Sequence, residues 1–146
     1  MPNDQTPAEK RGYYIAAVLT ESSQREMRAV MDPAHPVIHD NSGEGYHHVT
    51  LAYNTEGGFD LVEPLVGETV ELTVVGYACD NTNEALLVTG VPCEKAFPHI
   101  SLSWAEGGRA FGSNTMILEG AKRDNITVPA LYGQRFSATV TRVSLR

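Results

Sequence analysis

Two tetrapeptides carry the residue types of acid–base chemistry. His48-Val49-Thr50-Leu51 lies within YHHVTLAY, and His99-Ile100-Ser101-Leu102 lies 51 positions further on, within PHISLSW. Each is a histidine, an apolar residue, a hydroxyl residue and a second apolar residue. Alternate side chains of a strand point to opposite faces. His48 would then share a face with Thr50, and His99 with Ser101, while Val49, Leu51, Ile100 and Leu102 turn to the core. If the two strands lie side by side, or face each other across a cleft, two imidazoles and two hydroxyls converge. Neutral imidazole takes a proton from a water or a ribose hydroxyl, and imidazolium returns one to a departing oxygen. The unperturbed histidine pKa of about 6.5 makes both forms available near neutrality. Thr50 and Ser101 can donate hydrogen bonds to phosphate oxygens as charge builds in the transition state. The set suits phosphodiester cleavage without a metal or other cofactor. The competing reading is two ordinary strands, each with a half-exposed histidine. Two copies in strand context, each flanked by aromatics, favour a shared site.

The elements that must position these residues are mostly strands. Gly12 to Leu19 is a short apolar run suited to a buried strand. Ser23-Gln24-Arg25-Glu26 reads as a capping box. Met27, Val30 and Met31 then form an apolar stripe that Pro33 closes, giving the single expected helix. Residues 32 to 46 are a loop rich in Pro, Gly and Asx. Strands are expected at His47 to Tyr53, Thr69 to Cys79, Ala85 to Val91, His99 to Trp104, Asn114 to Leu118 and Gln134 to Leu145. In the last, the apolar phase switches between Val140 and Val143, which predicts a bulge near Arg142. Glu56-Gly57-Gly58 reads as a turn. The fold class is α+β, mainly antiparallel sheet with few helices, in one compact domain over residues 12–146. Residues 1–11 read as a flexible lead-in.

The formal net charge of −7 and the scattered Lys and Arg exclude the basic stripe of a protein that tracks along nucleic acid. They favour a small nucleotide held by a few well-placed groups. No apolar run approaches the roughly 18 residues of a membrane span, and no secretory leader is visible, so a cytoplasmic protein is expected. Cys79 and Cys93 flank a hairpin whose turn is DNTN. Centred on residues 80 to 84, that turn puts Cys79 opposite about Leu86 and Cys93 opposite about Leu72. That is too far apart for disulfide geometry, so both are read as free thiols.

The pair HVTL and HISL resembles the H-x-[S/T]-hydrophobic signature of the 2H phosphoesterase superfamily. Its members include LigT-type RNA cyclic phosphodiesterases, fungal tRNA-ligase phosphodiesterase domains and phage anti-CBASS nucleases. The layout is similar to the small RNA-repair-like and phage anti-CBASS-type members, and GYYIAAVL and GSNTMIL add weaker matches. The resemblance implies a bilobal, pseudo-twofold fold, with His48 and His99 as acid and base and Thr50 and Ser101 as phosphate binders. It leaves open which histidine is the base. It also implies a phosphodiesterase for a small nucleotide, with a cyclic-nucleotide immune signal as one concrete substrate. Such an enzyme would work in the host cytoplasm if phage-encoded. Processing of 2′,3′-cyclic phosphates at short RNA ends is the close alternative, and a nucleotide-binding module without turnover is the rival from another class. The segment VPCEKAF before His99 is too short for the long second-lobe helix of the larger members.

Further candidates surround the motifs. An aromatic ring could hold a base by stacking, and Tyr14 is chosen over Tyr13. Trp104 and Tyr53 stand at odd offsets from His99 and His48, which favours packing, although Trp104 is kept as a substrate contact. Arg109 and Asn114, both in the turn EGGRAFGSN, are candidates for phosphate contact and a polar clamp. His35 and His39 lie in the Pro-rich loop without a regular ligand frame, so no metal site is assigned. His47 should face away from His48 and is read as structural. No P-loop, nucleophile elbow or triad is present.

Overall fold

The computed structural model describes residues 5–34, 45–79, 83–104 and 131–145. In chain order these form α1 (Pro7–Arg11), β1 (Tyr13–Leu19), α2 (Glu21–Ala34), β2 (His48–Ala52), α3 (Glu56–Val62), a 3-10 turn (Glu63–Leu65), β3 (Thr69–Cys79), β4 (Asn83–Thr89), β5 (His99–Trp104) and β6 (Arg135–Ser144). The protein is α+β, with antiparallel strands closed into a barrel in the order β1-β2-β5-β4-β3-β6. Closure pairs β6 with both β1 and β3, so none of these strands is left with an open edge. No helix among the described residues is long and apolar enough to cross a membrane.

One main cluster of buried side chains lies on a single face of the sheet. Ile15, Ala17 and Leu19 of β1, Val49 and Leu51 of β2, Leu86 and Val88 of β4, and Ile100 and Leu102 of β5 belong to it, as the period-two pattern requires. Met27 from α2 and Phe59 and Val62 from α3 join the same cluster, so these helices cover that face. The opposite face of β2 and β5 is left to the polar motif residues.

Several local expectations are corrected. The second helix starts at Glu21, before the expected capping box. Thr20 is its cap: the Thr20 Oγ1 accepts from the Ser23 backbone N–H at 3.2 Å, and Gln24 N–H donates to Thr20 O at 3.0 Å. Ser23 is in the first turn and buried, where its Oγ accepts from Ser137 N–H at 3.1 Å and ties the helix to β6. The helix also runs through Pro33, which falls in its final turn and does not close it.

Two further helices escaped the periodicity argument because they are too short to show a stripe. α1 occupies the expected lead-in, with a true capping box between Thr6 and Glu9 and Gly12 in the left-handed region as its C-cap. Glu56-Gly57-Gly58 is no simple turn but the start of α3, capped by the Thr55 Oγ1. The Arg11–Glu56 ion pair at 2.9 Å joins these two helices.

No bulge occurs near Arg142: β6 pairs with β1 without interruption from Tyr13↔Ser144 to Leu19↔Ala138. Register shifts fall instead at Ile15/Ala16, Val74/Gly76 and Glu84/Ala85. The β3–β4 hairpin pairs Cys79 with Glu84 and Tyr77 with Leu86, a tighter turn than expected. Cys93 lies beyond the end of β4, not opposite Leu72, and is a free thiol that donates to Thr50 O at 3.3 Å. The expected strand Asn114 to Leu118 lies outside the described residues.

Candidate functional site

β2 and β5 are neighbours, paired antiparallel at Val49↔Ile100. Both residues are fully buried in the main cluster. Extending antiparallel register from this pair directs His48 toward Ser101 and Thr50 toward His99. All four point away from the core and are half-buried. Side chains directly opposite in such a ladder have Cβ atoms about 4.5–5.5 Å apart, and diagonal neighbours, as His48 and His99 are here, about 7–8 Å. The two motifs therefore lie on neighbouring strands, with their histidines and hydroxyls on the side away from the core.

The flanking strands repeat this arrangement. Val18↔His48, Ala17↔Val49 and Ala16↔Thr50 join β1 to β2. Leu87↔His99, Leu86↔Ile100 and Ala85↔Ser101 join β4 to β5 in the same order. Each ladder then shifts register at the next step, at Ile15/Ala16 and at Glu84/Ala85. The residue beside each hydroxyl is a buried alanine, Ala16 beside Thr50 and Ala85 beside Ser101.

The two imidazoles are anchored differently. His99 Nδ1 lies 3.0 Å from the Phe97 carbonyl oxygen. A carbonyl only accepts, so Nδ1 carries the hydrogen and Nε2 is left for the site. His48 Nδ1 lies 3.0 Å from Nδ1 of His47, with the rings edge-on at 5.2 Å between centroids. Burial pushes the His48 pKa down to about 4, with charges on His47 and His99 opposing its protonation further. Burial lowers the His99 pKa too, against the Phe97 hydrogen bond that raises it, and Lys95 adds a smaller lowering. Burial thus disfavours the charged form of both rings. A bound phosphodiester anion would favour the imidazolium form by direct charge attraction.

An aromatic row continues from His48. The Tyr14 ring sits 5.8 Å from the His48 ring, and the Tyr53 ring 5.7 Å from Tyr14. The Tyr14 pKa is raised, chiefly by burial and then by Tyr53, so it stays a phenol. Tyr14 is thus at the site, and Tyr53 joins it despite its odd offset, because β2 ends at Ala52 and alternation ends with it. Trp104 is the last residue of β5, opposite Asn83, and its side chain is outside the description. Arg109, Asn114, His35 and His39 lie outside the described residues.

His47 is the clearest correction. The period-two reading turned it away from His48, yet the rings touch. The reason is Tyr46, whose φ of 62° lies in the left-handed region, a costly conformation for a bulky residue. Surrounding contacts hold it there. Tyr46 N–H donates to Ser101 O at 3.0 Å, the Arg28 guanidinium lies 4.4 Å over its ring, and Arg28 donates to Gly45 O at 2.7 Å. Gly45 passes so close to Leu102 O that a Cβ would collide with it. The kink leaves His47 in a bend before β2, outside the alternation.

Glu94, inside the short VPCEKAF segment, was also missed. Its carboxylate accepts from the backbone N–H groups of Tyr53, Asn54 and Thr55 at 3.0–3.1 Å, and from the Thr55 hydroxyl at 3.3 Å. Glu94 N–H donates to Leu51 O at 2.9 Å. These bonds clamp the chain that leads into β5 onto the end of β2. No sequence signal marks this role, since an acidic residue in a short linker is commonplace. Comparison with known proteins found no matching family model and no matching curated protein.

Proposed function

We propose that the protein is a metal-independent phosphodiesterase of the 2H type that hydrolyses a small nucleotide phosphodiester. The observation that carries this is the pairing of Val49 with Ile100, which makes the two motif strands neighbours and supports a shared site for their histidines and hydroxyls. One imidazole takes the proton of the attacking water or ribose 2′-hydroxyl, and the other protonates the leaving oxygen. Thr50 and Ser101 hold the non-bridging oxygens.

The pairing map supports the pseudo-twofold part of the reading. Exchanging β1, β2 and β3 for β4, β5 and β6 leaves the list of strand neighbours unchanged, and the axis would pass between Val49 and Ile100. We read the two halves so related as the lobes that the 2H resemblance implies. Tyr14 and Tyr53 beside His48 are placed for stacking on a base. Together with the acidic surface charge, they favour a small cyclic or oligonucleotide over folded RNA. A cyclic-nucleotide immune signal is the specific substrate we put forward.

The test is incubation with EDTA and a panel of 2′,3′-cyclic mononucleotides and cyclic di- and trinucleotides, followed by product analysis. Turnover of the cyclic oligonucleotides that is lost in both His48→Ala and His99→Ala is expected. Turnover confined to 2′,3′-cyclic ends would move the assignment to RNA-end processing. Tight binding with no product would reject the enzyme in favour of a binding module.

A further inference from the structure

His47 has no place in the tetrapeptide motif, yet its Nδ1 lies 3.0 Å from that of His48. Two ring nitrogens at that separation share one hydrogen between them. We propose that His47 and His48 act as one proton-donating couple, with His47 the positioning residue and His48 the group that protonates the leaving oxygen, while His99 is the base. The assignment of roles rests on the phosphodiesterase reading; the couple itself does not.

The two anchors differ in what they permit. The Phe97 carbonyl only accepts, so neutral His99 keeps its hydrogen on Nδ1 and presents a bare Nε2, the form of a base. An imidazole both donates and accepts, so His47 can hand a hydrogen to His48 or take one from it. Burial opposes a charge on His48. When the couple takes up a proton, the contact lets His47 carry it, with its Nδ1–H donating to Nδ1 of His48. His48 then carries its own hydrogen on Nε2, the nitrogen left for the site. The groups that face the couple are Tyr14 from β1, with Tyr53 behind it, and His99 from β5, itself near Lys95.

The step balances. His99 Nε2 takes the proton of the attacking oxygen as that oxygen bonds to phosphorus. The bond from phosphorus to the leaving oxygen breaks, and that oxygen takes the Nε2 hydrogen of His48. The Nδ1 hydrogen of His47 moves to Nδ1 of His48. His47 begins as imidazolium and ends neutral, His99 begins neutral and ends as imidazolium, and His48 is neutral before and after with its hydrogen moved from Nε2 to Nδ1.

The test is nitrogen-15 NMR of the histidine rings in the substrate-free chain and in His47→Gln and His47→Phe. A nitrogen–nitrogen coupling across the Nδ1···Nδ1 contact is expected in the parent, which needs no variant. In folded variants the His48 response to pH should move, because a charge on His47 no longer opposes its protonation. In kinetics, the high-pH limb of the kcat/KM profile should move to lower pH in both variants, with turnover at neutral pH reduced about tenfold or more, the low end of what a proton-transfer partner contributes. Absence of the coupling, or a His48 response unchanged without His47, would overturn the couple. An unmoved high-pH limb in an active variant would overturn its role in the reaction. A coupled pair in a chain that cleaves no phosphodiester would support the couple while rejecting the function.

Discussion

Val49 and Ile100 face one another across β2 and β5, buried at the centre of the candidate site. Every motif side chain flanks this pair, so the geometry of the chemistry is set by two residues that take no part in it. Enlarging either would force the strands apart, and truncating either would open a cavity beneath the imidazoles. Val49→Ala and Ile100→Ala should each destabilise the fold, the latter by about 2–5 kcal/mol in denaturant unfolding. Both should lower turnover more than their loss of stability alone accounts for.

Removal of either imidazole should slow the chemistry steeply without unfolding the chain. His48→Ala and His99→Ala are expected to cut kcat by about 10²–10⁴-fold, the usual contribution of one positioned acid or base. Thr50→Val and Ser101→Ala should reduce kcat while leaving binding of the base largely intact. Full activity in either histidine variant would dismantle the shared site.

Stability should fall on the acid side. The folded-state pKa of His48 is depressed from 6.5 to about 4 by burial, then by charges on His47 and His99. The unfolded chain therefore binds a proton more readily than the folded one. Stability from the neutral ring is present above about pH 6.5 and declines as pH falls toward about 4. His99 shifts in the same direction. Unfolding midpoints followed from pH 7 to pH 4 should drop more steeply in the parent than in His48→Gln, and parallel curves would contradict the burial argument.

The Glu94 clamp should matter to both stability and activity. Its carboxylate satisfies the backbone donors between β2 and α3, and the α3 cap at Thr55 is part of the same cluster. Glu94→Ala would leave several donors without a partner, at about 1–3 kcal/mol for the first and less for those that water reaches. Gly58→Ala tests the same clamp from the other side, since its Cβ would meet Glu94 Cβ at 2.7 Å. Both variants should unfold earlier in denaturant and show reduced turnover, because β5 and its histidine follow directly.

Capping distinguishes the observed start of α2 from the expected one. Thr20→Ala should cost about 1 kcal/mol through the lost cap. Ser23→Ala removes the acceptor for Ser137 N–H instead, so it should weaken docking of the helix on β6. Amide exchange would separate the two: Thr20→Ala speeds exchange in the first turn of α2, and Ser23→Ala speeds it at Ser137.

The sequence alone determined the strand-rich α+β class, all six described strands to within two residues at either end, and the face on which each motif side chain lies. Period-two alternation is a local property, and it holds wherever the backbone is regular. The pairing of the two motifs is long-range, and only the folded barrel decided that β2 and β5 are neighbours, paired at Val49 and Ile100. The same holds for Ile15–Val18 and Glu84–Leu87, whose equivalence appears in their pairing partners and not in their residue types. Where the backbone leaves the strand region, alternation fails. Tyr46 adopts a left-handed conformation that nothing in its own side chain favours, held by Arg28 and by Ser101 from another strand. That tertiary cost brought His47 to His48, a contact no local periodicity could have foretold.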